Sequence, residues 1–266
     1  MFIWAALAAY FAFTDLQISI SVVNQYSWWA NFLQDFGEIP GLLVLFCSAH
    51  IFLARYSSES RFRKIALSII LFFAVSFLSG YLVFVIYSGI AGSNSIFQEY
   101  QIAIIFILLV LNFLLNIQIR KLKIPNSLIH FSKTSVLLGM YGYLCFIQPI
   151  KHFWGRVRFK DLDAFYSNFS QWFLPNGING NQSFPSGHAA MGWMILPLLI
   201  LVVNKSKIMK VSLHIIIIFL GVAVSLSRVV IGAHYASDVL FSSFIVIIVF
   251  LAIIKPHRDT FNKVSG

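Results

Sequence analysis

The sequence has little charge, and negative charge is the scarcest. Charged residues make up 11% of the 266 positions and hydrophobic residues 59%, with nine Asp and Glu against 19 Lys and Arg. A soluble globular domain normally carries about a quarter charged residues. The composition therefore excludes an ordinary soluble globular protein. Cysteine is scarce as well: Cys47 and Cys145 both lie in apolar runs, so no disulfide framework is expected.

Long apolar runs take the place of the missing charge. Several approach the roughly 20 residues that a helix needs to cross a bilayer. Only helices and closed barrels satisfy the backbone in lipid, and a run such as 214–224 lacks the alternation of a barrel strand. The sequence predicts an all-α integral membrane protein, a polytopic helical bundle that forms one domain over 1–266. About eight transmembrane helices are expected, within a range of six to eight, at 1–13, 41–54, 65–89, 101–119, 135–150, 189–203, 211–226 and 239–254.

The connecting segments predict the topology. Residues 15–40 contain Trp28 and Trp29, and Trp is enriched at membrane interfaces, so an interfacial segment is expected there. If the helices alternate, the loops after the second, fourth, sixth and eighth helices share one side and carry 14 of the 19 Lys and Arg. The positive-inside rule then places both termini in the cytoplasm, and segments 15–40 and 151–187 outside.

Basic residues on the outer side occur only beside one group of polar motifs. They are Lys151, Arg156, Arg158, Lys160 and Arg228. Positive charge on that side is not explained by orientation in the membrane. It predicts an anionic ligand, and the net charge of +10 is attributed to topology rather than to nucleic-acid binding.

Three short clusters carry the chemistry. They read Lys-His-Phe-Trp-Gly-Arg-Val-Arg at 151–158, Ser-Phe-Pro-Ser-Gly-His at 183–188, and Ser-Arg-Val-Val-Ile-Gly-Ala-His-Tyr-Ala-Ser-Asp at 227–238. His234 and Asp238 are four residues apart, which puts them on one face of a helical turn. The carboxylate can then hold one ring nitrogen and leave the other free as a base or nucleophile.

The residue types favour phosphate chemistry. Lys151, Arg158 and Arg228 supply fixed cations, and guanidinium groups match phosphate oxygens in bidentate fashion. His188 and His234 provide one group to attack phosphorus and one to protonate the leaving oxygen. The favoured reaction is metal-free hydrolysis of a phosphate ester through a covalent phosphohistidine.

The three motifs, in this order, resemble the type 2 phosphatidic acid phosphatase superfamily, whose core has six helices. The resemblance implies that His234 is the nucleophile, that Asp238 orients it, and that His188 is the general acid. Phe159 stands where the first family motif has proline. The resemblance also implies a set of phosphate-binding groups, namely Lys151, Arg158, Ser186, Gly187 and Arg228.

Residues 154–158, Trp-Gly-Arg-Val-Arg, are similar to the form seen in bacterial lipid A phosphatases. This similarity implies a multi-pass protein of the bacterial inner membrane whose site faces the periplasm and which removes the 1- or 4′-phosphate of lipid A. Phosphatidylglycerophosphate and undecaprenyl pyrophosphate are the alternative lipid substrates. Arg156 is expected to contact a bulky, multiply anionic headgroup.

Two other hypotheses stay open. Two His and one Asp can bind zinc, although the neighbouring Lys and Arg would repel a cation. A transporter of anionic lipid would carry charged or helix-breaking residues near the middle of its helices, whereas here the ionisable groups cluster at one face. The predicted partners are the membrane and a lipid phosphate, with no cofactor, metal, nucleic acid or obligate protein partner.

Overall fold

A computed structural model describes residues 1–56, 60–92 and 95–264, and within these ranges the chain is helical with no β-strand. Six helical segments of the described part are long and apolar enough to cross a membrane. They are Phe2–Val22, Trp28–Arg55, Arg61–Ala91, Gln101–Lys121, Lys207–Val230 and Ala236–Lys255. The predicted fold class, an all-α membrane protein, is confirmed.

The first half of the chain forms six helices. Their bounds are α1 (Phe2–Val22), α2 (Trp28–Phe36), α3 (Ile39–Arg55), α4 (Arg61–Ala91), α5 (Ser95–Glu99) and α6 (Gln101–Lys121). Helices α2 and α3 follow each other closely and together make one of the six apolar segments. Large side chains on α4 and α6, such as Phe77 and Phe106, are exposed in the isolated chain. In a bilayer this surface faces lipid, which tolerates it without cost.

The second half begins with one long helical stretch and ends with two long helices. Helix α7 (Asn126–Leu137) continues through a π-helical segment (Leu138–Ile147) into α8 (Gln148–Trp154). A loop at 155–186 has one short 3-10 helix (Phe159–Asp161). The remaining elements are α9 (Gly187–Trp193), a 3-10 segment (Leu196–Val202), α10 (Lys207–Val230) and α11 (Ala236–Val264).

Six of the eight predicted spans correspond to the six apolar segments, whereas those predicted at 135–150 and 189–203 do not, and the first two boundaries differ from the prediction. Helix α1 runs to Val22 rather than ending at residue 13, and the second span begins at Trp28. The interfacial segment predicted at 15–40 is therefore corrected, because α1, α2 and α3 occupy this range except for residues 23–27 and 37–38. The reason is that Asp15 and Glu38 are buried inside the bundle instead of facing an interface.

Close packing at the centre of the bundle fixes α9. Leu42, Leu138, Met194 and Val246 come from four separate parts of the chain, belong to one apolar cluster and have no exposed surface. A Cβ added to Gly41 on α3 would lie 2.2 Å from the Met191 carbonyl oxygen of α9. Small residues allow such close approach of helices in membranes, where van der Waals contact drives association. The core thus holds α9 with its first residues beside the polar clusters.

Candidate active site

A polar cavity of about 400 Å³ lies where the three sequence clusters meet. Six of the nine predicted site residues line it, and Asp238, Ser186 and Arg156 do not. The α2–α3 junction, α4 and the π-helical segment close the opposite side. The lining residues are Gln34, Glu38, Tyr81, Tyr143, Lys151, Arg158, Lys160, Gln182, Gly187, His188, Arg228 and His234.

Arg228 is the most deeply placed cation of the lining. It occupies the last turn of α10, is 6% exposed, and its Nη1 reaches Gln34 Oε1 only at 3.5 Å. Its Nε is buried and has no hydrogen-bond partner in the described part of the chain. An unpaired buried donor is costly, so this guanidinium is prepared for an acceptor that enters the cavity.

Lys151 approaches the same space from α8. It lies in the last turn of that helix, where a cation is favoured by the helix dipole. A Cβ added to Gly187 would lie 3.7 Å from Lys151 Nζ. The glycine therefore leaves the ammonium group close to the first backbone amides of α9. Together with Arg158 and Arg228, Lys151 makes the cavity strongly electropositive.

His234 sits in the short turn between α10 and α11. The backbone N–H groups of Ala233 and His234 both donate to the Arg228 carbonyl, at 3.0 Å, and this double contact fixes the turn. The ring is 2% exposed and lines the cavity. Burial lowers the pKa of His234 to about 3, although Asp238 opposes the shift and the charge of Lys151 adds to it. The imidazole is therefore neutral at pH 7, as a nucleophile must be.

Asp238 lies behind His234 and away from the cavity. Its Oδ2 is 3.4 Å from His234 Nδ1, a long contact, and it also accepts from the Tyr235 N–H at 3.0 Å and from the Ser183 hydroxyl. Its Oδ1 accepts from Arg156 at 2.6 Å. These donors fix the carboxylate, which in turn favours a proton on Nδ1 and a free lone pair on the other ring nitrogen.

The prediction that Arg156 contacts a substrate headgroup is wrong. Its side chain has no exposed surface and donates to Asp15 Oδ2 at 2.9 Å as well as to Asp238. Its Nε donates to the Ser170 carbonyl at 2.9 Å, and its guanidinium lies 3.9 Å from the Tyr235 ring centroid. A buried charge needs such complete pairing. Arg156 is a cation held between two carboxylates, not a ligand of the cavity.

Gly155 turns the chain so that Arg156 points inward. It ends α8 with φ +65°, and a Cβ at this position would lie 2.0 Å from the Gly177 carbonyl oxygen. Only glycine meets both conditions without strain. The glycine of the first motif is thus required by the backbone, and its consequence is the inward arginine.

Ser186 and Gly187 take different places. The Ser186 hydroxyl is fully buried and accepts from the Ala189 N–H at 3.3 Å, so it caps α9. Serine is among the preferred N-cap residues. Ser186 is not among the residues that line the cavity, so the geometry does not support its predicted contact with phosphate. Gly187 does line the cavity.

His188 has a carboxylate partner that the sequence motifs do not contain. Its side chain is 31% exposed, and its Nδ1 lies 3.1 Å from Oε1 of Glu38, which is 4% exposed. Oε2 of Glu38 accepts from the Tyr81 hydroxyl at 2.8 Å. Asp15, Glu38 and Tyr81 are the residues that the sequence prediction missed. The available signal was a carboxylate inside an apolar segment, which is expensive unless it is paired.

The zinc hypothesis finds little support in this geometry. Across the described ranges, no group of three or more His, Cys, Asp and Glu side chains is arranged to hold a metal ion. Both oxygens of Asp238 already accept from Arg156 and Ser183. A metal would have to displace these donors from a fully buried carboxylate.

A family model described as the PAP2 superfamily matches residues 132–261, which include all three motifs. The chain belongs to the PAP2 superfamily. Members of this superfamily are phosphatases, which supports phosphoric ester hydrolysis and a lipid-type phosphate as substrate. No curated protein and no solved structure matches the chain. Asp15, Glu38 and Tyr81 lie outside the residues that match the PAP2 model.

Proposed function

We propose that this PAP2 protein removes phosphate from a membrane lipid at the periplasmic face, without a metal, through a phosphohistidine intermediate on His234. The observation that carries the proposal is the cavity itself. It places two histidines beside three of its four cationic side chains, Lys151, Arg158 and Arg228. Phosphoryl transfer is catalysed mainly by positioning and by charge stabilisation, and these five side chains can provide both.

In the first step, the free ring nitrogen of His234 attacks phosphorus and the bond to the lipid oxygen breaks. His188 donates a proton to that oxygen, so the lipid leaves as an alcohol. Lys151, Arg158 and Arg228 stabilise the charge that is spread over the other phosphoryl oxygens. Asp238 stabilises the positive charge that His234 carries once the P–N bond has formed.

In the second step, water attacks phosphorus and the P–N bond breaks. His188, now neutral, takes the proton from the water and is ready to act as an acid again. Inorganic phosphate leaves, and His234 returns to the neutral form that burial favours. The cycle consumes one water molecule and needs no redox cofactor.

Lipid A is the proposed substrate, with its 1- or 4′-phosphate as the scissile group. The support is the Trp-Gly-Arg-Val-Arg sequence at 154–158. Since Arg156 is buried, that support does not extend to a headgroup contact by this arginine. Phosphatidylglycerophosphate and undecaprenyl pyrophosphate are the alternatives, and a non-enzymatic transporter of anionic lipid is the alternative of another class.

The test is phosphate release by the purified protein in detergent micelles, offered each of these lipids in the presence of EDTA. We expect His234→Ala to reduce release to background and to abolish acid-labile labelling by a ³²P-substrate. The matched control is His214→Ala, because His214 is an exposed histidine on α10 away from the cavity. It should retain wild-type turnover.

Turnover by the His234→Ala protein would refute the covalent mechanism. Absence of release from every lipid, combined with lipid movement between leaflets of reconstituted vesicles, would favour the transporter. The side of the membrane is tested with right-side-out spheroplasts and a water-soluble phosphate ester. Hydrolysis only after lysis would place the site in the cytoplasm.

A further inference from the structure

We propose that Glu38 is a positioning residue for His188, so that each catalytic histidine has a carboxylate of its own. This inference rests on the proposed function and identifies a residue outside the PAP2 motifs. Glu38 Oε1 lies 3.1 Å from His188 Nδ1, and the Tyr81 hydroxyl donates to Oε2 at 2.8 Å. One oxygen is thus given to the histidine, and the other is fixed by the tyrosine.

The place of Glu38 in the chain does not by itself explain its burial. It precedes α3 as the N-cap residue, yet its side chain makes no capping hydrogen bond. A carboxylate near the start of a helix normally caps free N–H groups when it has a structural task. Here the side chain turns away from the helix and into the cavity, where it is 4% exposed.

The charges around His188 show why a carboxylate is needed. Four cationic side chains line this cavity: Lys151 on α8, Arg158 and Lys160 in the following loop, and Arg228 on α10. The neutral His234 lines the same cavity from the α10–α11 turn. Positive neighbours oppose an imidazolium. Among the lining residues of the cavity, Glu38 is the one carboxylate, and it contacts the ring directly.

The contact also determines which nitrogen can act. With Nδ1 directed at Glu38, the proton to be transferred is carried by Nε2. During bond cleavage this proton goes to the leaving lipid oxygen, and the Nδ1–H remains with Glu38. When water attacks the phosphohistidine, Nε2 takes a proton back. Glu38 thus keeps the ring orientation constant through both steps and gains or loses no proton itself.

The distinguishing experiment varies the leaving group. A lipid alkoxide needs the proton of His188 to leave, whereas p-nitrophenolate leaves unaided. We expect Glu38→Gln to lower kcat for the lipid phosphate by about 10²-fold, the lower end of general acid catalysis. Hydrolysis of p-nitrophenyl phosphate should fall by less than about five-fold, because the positioned acid contributes little to it.

Two comparisons keep this result specific. His188→Ala should give the same pattern, and the double variant Glu38→Gln/His188→Ala should be no slower than His188→Ala alone. The matched control is Glu99→Gln, the same substitution at an exposed carboxylate on α5 that does not line the cavity. It should leave both activities unchanged.

Equal losses on the two substrates would overturn the inference, because a merely structural role affects both. Wild-type kinetics of Glu38→Gln would overturn it as well. If the Gln variant does not fold, Glu38→Asp retains the charge but withdraws it by one methylene, and the same leaving-group contrast decides. The proposed function fails separately: p-nitrophenyl phosphate hydrolysis by His234→Ala would refute it, whatever Glu38→Gln does.

Discussion

The two histidines of the cavity differ in burial and in how their carboxylate partners are held. His234 is 2% exposed, and Asp238 behind it belongs to a buried chain of charges that continues through Arg156 to Asp15. His188 is 31% exposed, and its carboxylate Glu38 is fixed by a single tyrosine. The His234 side is therefore held by several buried partners, while the His188 side is more exposed.

The difference fits two different tasks. A nucleophile must keep one position and one protonation state through the reaction, and burial with several fixed donors achieves this. A general acid must give up a proton and recover one from water in every turnover. A partly exposed ring with one carboxylate allows that exchange. Each histidine has the surroundings that its proposed step requires.

The largest expected effect comes from breaking the His234 side at Arg156. Arg156→Met keeps the length of the side chain but leaves Asp15 and Asp238 buried without their cation. Removing one partner of a buried ion pair costs about 3–5 kcal/mol. We expect a loss of this size in unfolding free energy in detergent, together with a loss of p-nitrophenyl phosphate hydrolysis.

The control for Arg156→Met is Arg63→Met, an exposed cation at the start of α4. Exposed substitutions usually change stability by less than about 0.5 kcal/mol. Adding Asp15→Asn to Arg156→Met removes one of the stranded carboxylates and should restore part of the stability. A stable and active Arg156→Met protein would show that the chain of charges is dispensable.

A smaller effect, on pH dependence, sharpens the contrast between the two histidines. Because burial holds the pKa of His234 at about 3, the ring stays neutral when the pH falls from 7 to 5. A histidine at its usual pKa of about 6.5 would be only about 3% neutral at pH 5. Phosphoenzyme formation from p-nitrophenyl phosphate should therefore fall by less than about five-fold over this interval.

Rapid-quench measurement of the ³²P-enzyme checks this, and a decline of about 25-fold would mean that His234 titrates normally. The same shift affects stability. The unfolded chain binds a proton at His234 below about pH 6.5 and the folded chain does not, so stability decreases as the pH falls from about 6.5 towards 3.

The smallest expected effect is on the His188 side. Tyr81→Phe removes the hydroxyl that donates to Glu38 Oε2 at 2.8 Å but leaves the carboxylate in contact with His188. Loss of one such hydrogen bond loosens Glu38 without removing its charge. We expect kcat for the lipid phosphate to fall by about three- to ten-fold, with p-nitrophenyl phosphate hydrolysis unchanged. Tyr87→Phe, on the same helix but outside the cavity lining, is the control.

Much of the site could be predicted because its motifs are local. Asp238 lies one helical turn after His234, so their proximity follows from sequence spacing alone. The apolar runs likewise predicted an all-α membrane bundle, since the length of a span is set by the bilayer. Lys151, Arg158 and Arg228 could be predicted to bind one phosphate group because their motifs carry positive charge on the predicted outer side, which otherwise has little.

The contacts between distant segments could not be predicted in this way. Arg156 and Asp15 are 141 residues apart, and Ser237 and Asp15 are 222 apart. In sequence, Arg156 resembled the other basic residues of its motif, and nothing local distinguished an inward side chain from one that binds substrate. Glu38 belongs to the same segment as Trp28 and Trp29, which predicted a membrane interface. Only the packing of the α2–α3 junction against the cavity shows that Glu38 is the partner of His188.

The distance in sequence between Asp15 and Arg156 has a consequence for biogenesis. Helix α1 carries the carboxylate of Asp15 in its second half, while the arginine partner is synthesised 141 residues later. A nascent chain must hold this acid unpaired or protonated until the 155–186 loop arrives. The loop also ties itself to α1 directly, since Trp172 Nε1 donates to the Ala8 carbonyl at 3.0 Å. The partners of Asp238 behind His234 are therefore complete only when α1, the 155–186 loop and α11 have met.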